Sequence, residues 1–194
     1  MKWNIPNLLT LVRIILIPVL VLVFYAPYGW SHLVSTAVFG LAAVTDWLDG
    51  YLARRLKQSS LFGAFLDPVA DKLMIAVALV VLVQDNPTVL FVVPAAIIVG
   101  REIVISALRE WMSELGQRTK VSVSVIGKIK TAAQMIAIVL LLYKHPLGAF
   151  PTHEAGMVLI YIAATLTLWS MVVYLLAAWP TLLGNSKSQH RNGT

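Results

Sequence analysis

Apolar residues fill six runs of the chain, near 5–26, 32–56, 61–84, 88–112, 122–143 and 154–179, each long enough for a helix of about 20 residues. Turn-forming clusters separate them. Ala26-Pro27-Tyr28-Gly29 follows the first run, Asp85-Asn86-Pro87 the third and His145-Pro146-Leu147-Gly148 the fifth. The pattern predicts an all-α, polytopic membrane protein with six transmembrane helices, forming one unit over residues 1–182. The polar stretch that follows, 183–194, reads as a cytoplasmic tail. The first run carries Arg13 inside it and lacks a small-x-small cleavage site, so it reads as a retained helix rather than a signal peptide.

Composition agrees with the pattern. Of 194 residues, 59% are hydrophobic and 12% charged, which leaves no room for a soluble domain of useful size. Cysteine is absent, which excludes disulfides, zinc-thiolate sites and thiol chemistry. A net charge of +6 could suit nucleic acid, but its distribution argues otherwise. Of 15 Lys and Arg residues, only Lys144 falls in the breaks after the first, third and fifth runs; the rest lie toward the opposite ends. By the positive-inside rule, both termini and the turn between the second and third runs face the cytoplasm. Trp3, Trp30, Trp111 and Trp179 fall near expected interfaces, as aromatic-belt residues do.

Acidic residues change the picture most. There are nine, and four of them, Asp46, Asp49, Asp67 and Asp71, lie in one short stretch. A carboxylate placed in lipid costs roughly 2.5–3.5 kcal/mol on insertion scales, so such a cluster needs a function. Asp46 and Asp49 share one face of the second helix, and Asp67 and Asp71 one face of the third. The basic turn between makes these helices antiparallel and brings both pairs together. Asp46 then lies about 12 Å below Arg54 at 1.5 Å per residue, at headgroup depth. Four carboxylates repel unless something positive joins them, and basic partners are few at that depth. An all-oxygen donor set suits Mg2+ or Mn2+, and two pairs suit two ions clamping the attacking and leaving oxygens of a displacement at phosphorus. Gly50, Ala53 and Gly63 clear space for close approach, and Arg54 offers a fork suited to a diphosphate.

Read in full, Asp46-x-x-Asp49-Gly50-x-x-Ala53-Arg54, eight residues, then Gly63-x-x-x-Asp67-x-x-x-Asp71 resembles the signature of the CDP-alcohol phosphatidyltransferases at every fixed position. NIPNLLTLVRI, REIVISALREW and IGKIKTAAQM extend the resemblance over most of the chain. The resemblance implies a six-helix membrane enzyme, commonly a homodimer, that moves a phosphatidyl group from CDP-diacylglycerol to an alcohol and releases CMP. It implies that Asp46, Asp49 and Asp67 hold metal, with Asp71 near the second ion and serving as general base. The donor site would take Asp49, Gly50, Ala53, Arg54 and Gly63, joined by Asn7, Thr10 and Arg13 on one face of the first helix. Over the whole chain the resemblance implies glycerol 3-phosphate as acceptor, attacking through its 1-hydroxyl.

A phosphorylated acceptor needs cations. Arg101, Arg109, Arg118 and Lys128 are the candidates, with Glu102 a competing partner for the basic residues around it. Lys130 reads more simply as a topology or snorkelling lysine. The cationic surface disfavours serine as acceptor, while phosphatidylglycerol and inositol phosphate remain chemically open. A cation-coupled transporter would use the carboxylates differently and predicts inverted repeats, which the sequence does not show.

Overall fold

In a computed structural model, the backbone is described for residues 5–56, 61–114 and 125–184; within these, the side chains at 5, 6, 47, 50–56, 61, 62, 64, 125–128, 177, 178 and 180–184 are outside the description. The described chain is all-α, with six helices in order: α1 (Ile5–Phe24), α2 (Ser31–Leu56), α3 (Leu61–Asp85), α4 (Val89–Glu114), α5 (Val125–Tyr143) and α6 (Thr152–Gly184). The polar tail expected after residue 182 lies mostly outside the described residues.

Six helices form where the breaks predict them, but six membrane spans do not. Among the described residues, three helices are long and apolar enough to cross: Asn7–Phe24, Val89–Glu114 and Thr152–Leu176. The expectation of six transmembrane helices is therefore corrected to three. The reason lies in the sequence of the other three. α2 carries Asp46, Asp49, Arg54 and Arg55, and α3 carries Asp67, Asp71 and Lys72. In α5 the apolar helix among the described residues is only Ile129–Tyr143, and Lys130 and Gln134 interrupt it. Such a stretch measures roughly 22 Å, short of a hydrocarbon core about 30 Å thick.

Helical periodicity sets what is buried. α6 buries Ile160, Ala163, Ala164 and Thr167, and α4 buries Phe91, Pro94, Ala95 and Ile98, each at the i, i+3, i+4, i+7 spacing of one helix face. Large apolar residues on the outer faces, such as Ile15, Leu22, Val80 and Trp169, stay exposed. α1 differs along its length. Its buried stripe is apolar at one end (Leu20, Phe24) and polar at the other (Asn7, Thr10, Arg13).

α1 packs on both α2 and α3, more extensively than α2 and α3 pack on each other. α5 and α6 form the other large interface. Gly156 sits in it, where an added Cβ would lie 2.8 Å from Leu141 Cγ and 3.3 Å from Leu140 Cβ. These are branch and root atoms rather than flexible tips, so the helices must separate to admit a methyl group. Gly156→Ala should cost about 1–3 kcal/mol and lower the thermal midpoint of the detergent-solubilised protein. An unchanged midpoint would show that this interface yields freely.

The ends of the bundle differ in chemistry. At one end, His32 meets Phe24 and His145 edge-on, with ring centroids 5.5 and 6.0 Å apart. Lys144, in a left-handed conformation (φ 64°), donates to both carboxylate oxygens of Asp85 at 2.8 Å. The one Lys or Arg in the breaks at this end is thus paired with the last residue of α3. Burial, with the Lys144 ammonium nearby, holds the His32 imidazole below its ordinary value. The other end carries the aspartates.

Candidate active site

Two side chains one turn apart on α1 meet two carboxylates one turn apart on α3. The Thr10 hydroxyl donates to Asp67, and Arg13 Nη1 donates to Asp71. Arg13 reaches α2 with its other terminal nitrogen: Nη2 lies 2.5 Å from Asp49 Oδ2 and 3.3 Å from Asp46 Oδ1. One guanidinium therefore binds three carboxylates from two helices. It is 1% exposed, while Asp46 and Asp71 stay open at 42% and 38%. The fork shape of arginine is what permits this, since a lysine ammonium presents a single point.

All four sequence-identified aspartates come together here, and Thr10 and Arg13 join them from α1. Asn7 is buried one turn before Thr10, and Gly63 is buried at the start of α3. Gly50, Ala53 and Arg54 continue α2 beyond Asp49, but their side-chain surroundings lie outside the described residues. A cavity of about 90 Å³ opens beside Arg13, Asp46 and Asp71, walled by Phe39, Ala42, Met74 and Thr131. A larger, apolar one of about 340 Å³ lies between α3 and α4, lined by Leu73, Ala76, Val99 and Ile103. Lys72 and Ser106 border it; the Lys72 ammonium donates to the Ser106 hydroxyl, which donates to the Glu102 carbonyl at 2.5 Å.

The donor set can be tested against a divalent ion. Asp46, Asp49 and Asp71 converge on one point and offer only hard oxygen, as Mg2+ and Mn2+ require. The residues therefore fit in chemistry. Their present spacing suits a guanidinium: among the described residues no group of three or more carboxylates and histidines is drawn in to ion distance.

The candidate acceptor cations behave differently from one another. Arg101 donates to the carboxylate of its neighbour Glu102, and Lys130 Nζ lies 3.4 Å from that same Oε1. Arg101 is half-buried, with its Nε buried and without a hydrogen-bond partner, while Lys130 is buried outright. Arg109 points elsewhere, its Cζ 5.5 Å above the Tyr174 ring of α6. Arg118 and the Lys128 side chain lie outside the described residues. Lys130 is the residue the sequence reading underrated. Its signal was phase: it shares the buried α5 stripe of Ala133, Gln134 and Ala137.

Comparison with known proteins adds to this geometry. The pattern of the CDP-alcohol phosphatidyltransferases matches residues 3–169. The chain is 56% identical over 187 residues to the CDP-diacylglycerol–glycerol-3-phosphate 3-phosphatidyltransferase of Pseudomonas fluorescens, covering 96% of this chain and 95% of that one. It is 54% identical over 183 residues to the enzymes of the same name from Escherichia coli (strain K12) and Salmonella choleraesuis (strain SC-B67), covering 94% of this chain and 99% of each relative.

Proposed function

The chain belongs to the CDP-alcohol phosphatidyltransferase family, and from that premise we propose how its residues divide the work. It is an enzyme that transfers the phosphatidyl group of CDP-diacylglycerol to the 1-hydroxyl of sn-glycerol 3-phosphate, releasing CMP and forming phosphatidylglycerophosphate for anionic phospholipid synthesis. What carries this assignment is more than 50% identity maintained over nearly the full length of each relative.

In our reading, the acceptor hydroxyl gives its proton to Asp71 and its oxygen attacks the phosphorus that bears the diacylglycerol. The bond from that phosphorus to the CMP oxygen breaks, and CMP leaves. Asp71 suits the role because it is partly open and borders the small cavity beside the cluster. The family is generally dependent on divalent cations. Two ions, Mg2+ or Mn2+, held by Asp46, Asp49, Asp67 and Asp71 would neutralise charge on the transferring phosphate. Asn7, Thr10 and Arg13 with Asp49, Gly50, Ala53, Arg54 and Gly63 form the donor side. The apolar cavity between α3 and α4 offers volume for an acyl chain.

Arg101, Arg118 and Lys128 receive the acceptor phosphate, with Glu102 holding Arg101 and Lys130 in place until it binds, and Arg109 joins them only by leaving the Tyr174 ring. A CMP-release assay across glycerol 3-phosphate, inositol phosphate, serine and phosphatidylglycerol should show glycerol 3-phosphate best by a wide margin. A different best acceptor would sink the assignment. In the same assay, Arg101→Gln should raise the KM for glycerol 3-phosphate at least tenfold and leave that for CDP-diacylglycerol nearly unchanged. Equal rises would move Arg101 to the donor side.

The protein is a multi-pass membrane protein. We place it in the bacterial inner membrane as a homodimer, with the basic, aspartate-bearing end facing the cytoplasm, because its Lys and Arg residues concentrate there. The cysteine-free chain makes orientation simple to check. A cysteine introduced at Thr88 should react with an impermeant maleimide in intact spheroplasts, and one at Ser113, at the other end of α4, only after lysis. The reverse result would invert the topology.

A further inference from the structure

Arg13 occupies a position that two cations cannot share. Its terminal nitrogens sit on Asp46, Asp49 and Asp71, the oxygens assigned above to divalent metal. We infer that Arg13 is an exchangeable internal cation, which gathers these carboxylates in the metal-free enzyme and yields them when the ions enter. The inference rests on the reading of the aspartates as metal ligands.

Three observations support it. First, the three carboxylates come from two helices, and among the described residues one guanidinium is the cation joining them. Like charges this close repel, and a bundle lacking both Arg13 and metal would open at this end. Second, an ion bound through Asp49 and Asp71 must use oxygens to which Arg13 already donates, so two cations would compete for the same lone pairs. Third, among the described residues the hydrogen bonds and ion pairs of Arg13 all go to these aspartates, and its Nε is buried without a hydrogen-bond partner. The cavity of about 90 Å³ beside it gives the head group somewhere to turn. Within the cluster, Arg13 acts through the aspartates, as a positioning residue.

A fixed structural arginine and an exchangeable one differ in whether bound metal replaces what the arginine contributes to stability. Mn2+ binding to the full-length, detergent-solubilised protein would be measured by calorimetry for wild type, Arg13→Gln and Arg13→Lys. Thermal midpoints would be recorded with and without Mn2+. Exchange predicts that Arg13→Gln binds Mn2+ at least tenfold more tightly than wild type, with Arg13→Lys in between. It also predicts that metal-free Arg13→Gln melts below wild type and that saturating Mn2+ closes the gap. Equal or weaker Mn2+ binding by Arg13→Gln, or a gap that persists at saturation, overturns the inference. If the glutamine variant does not fold without metal, Arg13→Lys decides alone, since its affinity must still exceed that of wild type. Absence of Mn2+ binding by wild type and both variants would instead remove the metal reading of the aspartates, and the exchange with it.

Discussion

Asp71→Asn is expected to lower kcat by about 10²–10⁴-fold, the range that a positioned general base contributes. Asparagine keeps the shape and one acceptor oxygen, so Arg13 retains a partner on α3 as well as Asp49 and Asp46 on α2. What disappears is the group proposed to take the acceptor's proton. An aspartate is a weak base in water, with a reference pKa near 3.9, so the proposed role needs the acceptor hydroxyl to be acidified by bound metal. Mn2+ binding and the KM for CDP-diacylglycerol should therefore survive better than turnover. The measurement is CMP release at saturating concentrations of both substrates, with Mn2+ titrated calorimetrically in parallel. Near-normal turnover would reassign Asp71 to an electrostatic role.

Stripping divalent ions with EDTA should abolish turnover, a loss of at least about 10³-fold, while the protein still unfolds in one cooperative transition. The two halves of this expectation come from different residues. Activity fails because the carboxylates alone leave the phosphate charge unmatched. The fold survives because Arg13 still ties α1 to α2 and α3 through Asp49 and Asp71. Removing one partner from a buried ion cluster typically costs about 3–5 kcal/mol, and chelation removes none of these. Restoring Mg2+ or Mn2+ should recover turnover in full. Activity undiminished after exhaustive chelation would argue against metal, and loss of the cooperative transition would mean that the ions hold the helices together.

The helices were legible because their boundaries are chemical: Pro27, Pro87 and Pro146 stand in the breaks, and periodicity fills the intervals. The number of membrane spans was not, because a hydrophobic composition spread over the whole chain hides how the charges of α2 and α3 fall within single helices. The aspartate cluster was legible from residue type and spacing alone. Its internal cation was not. Local spacing relates Asp46 to Asp49 and Asp67 to Asp71, but nothing local relates Arg13 to any of them. Fourteen basic residues sorted by topology say which end they favour, not which one turns inward. Lys130 reads from sequence as a topology or snorkelling lysine for a similar reason, since its burial shows only in its phase with Ala133, Gln134 and Ala137 on α5.

The burial of Arg13 also bears on how the molecule is made. α1 leaves the ribosome ahead of α2 and α3, carrying an arginine whose carboxylate partners do not yet exist. Asp49 follows 36 residues later and Asp71 58 residues later. At about 5–20 residues per second, the nearer of these partners arrives roughly 2–7 s behind. For that interval the first helix bears an insertion penalty of roughly 2.5–3.5 kcal/mol with nothing to offset it. A helix so burdened is poorly suited to drifting off alone into lipid. It belongs beside the insertion machinery until α2 and α3 emerge, so the residue that gathers the site also couples the birth of the first helix to that of the next two.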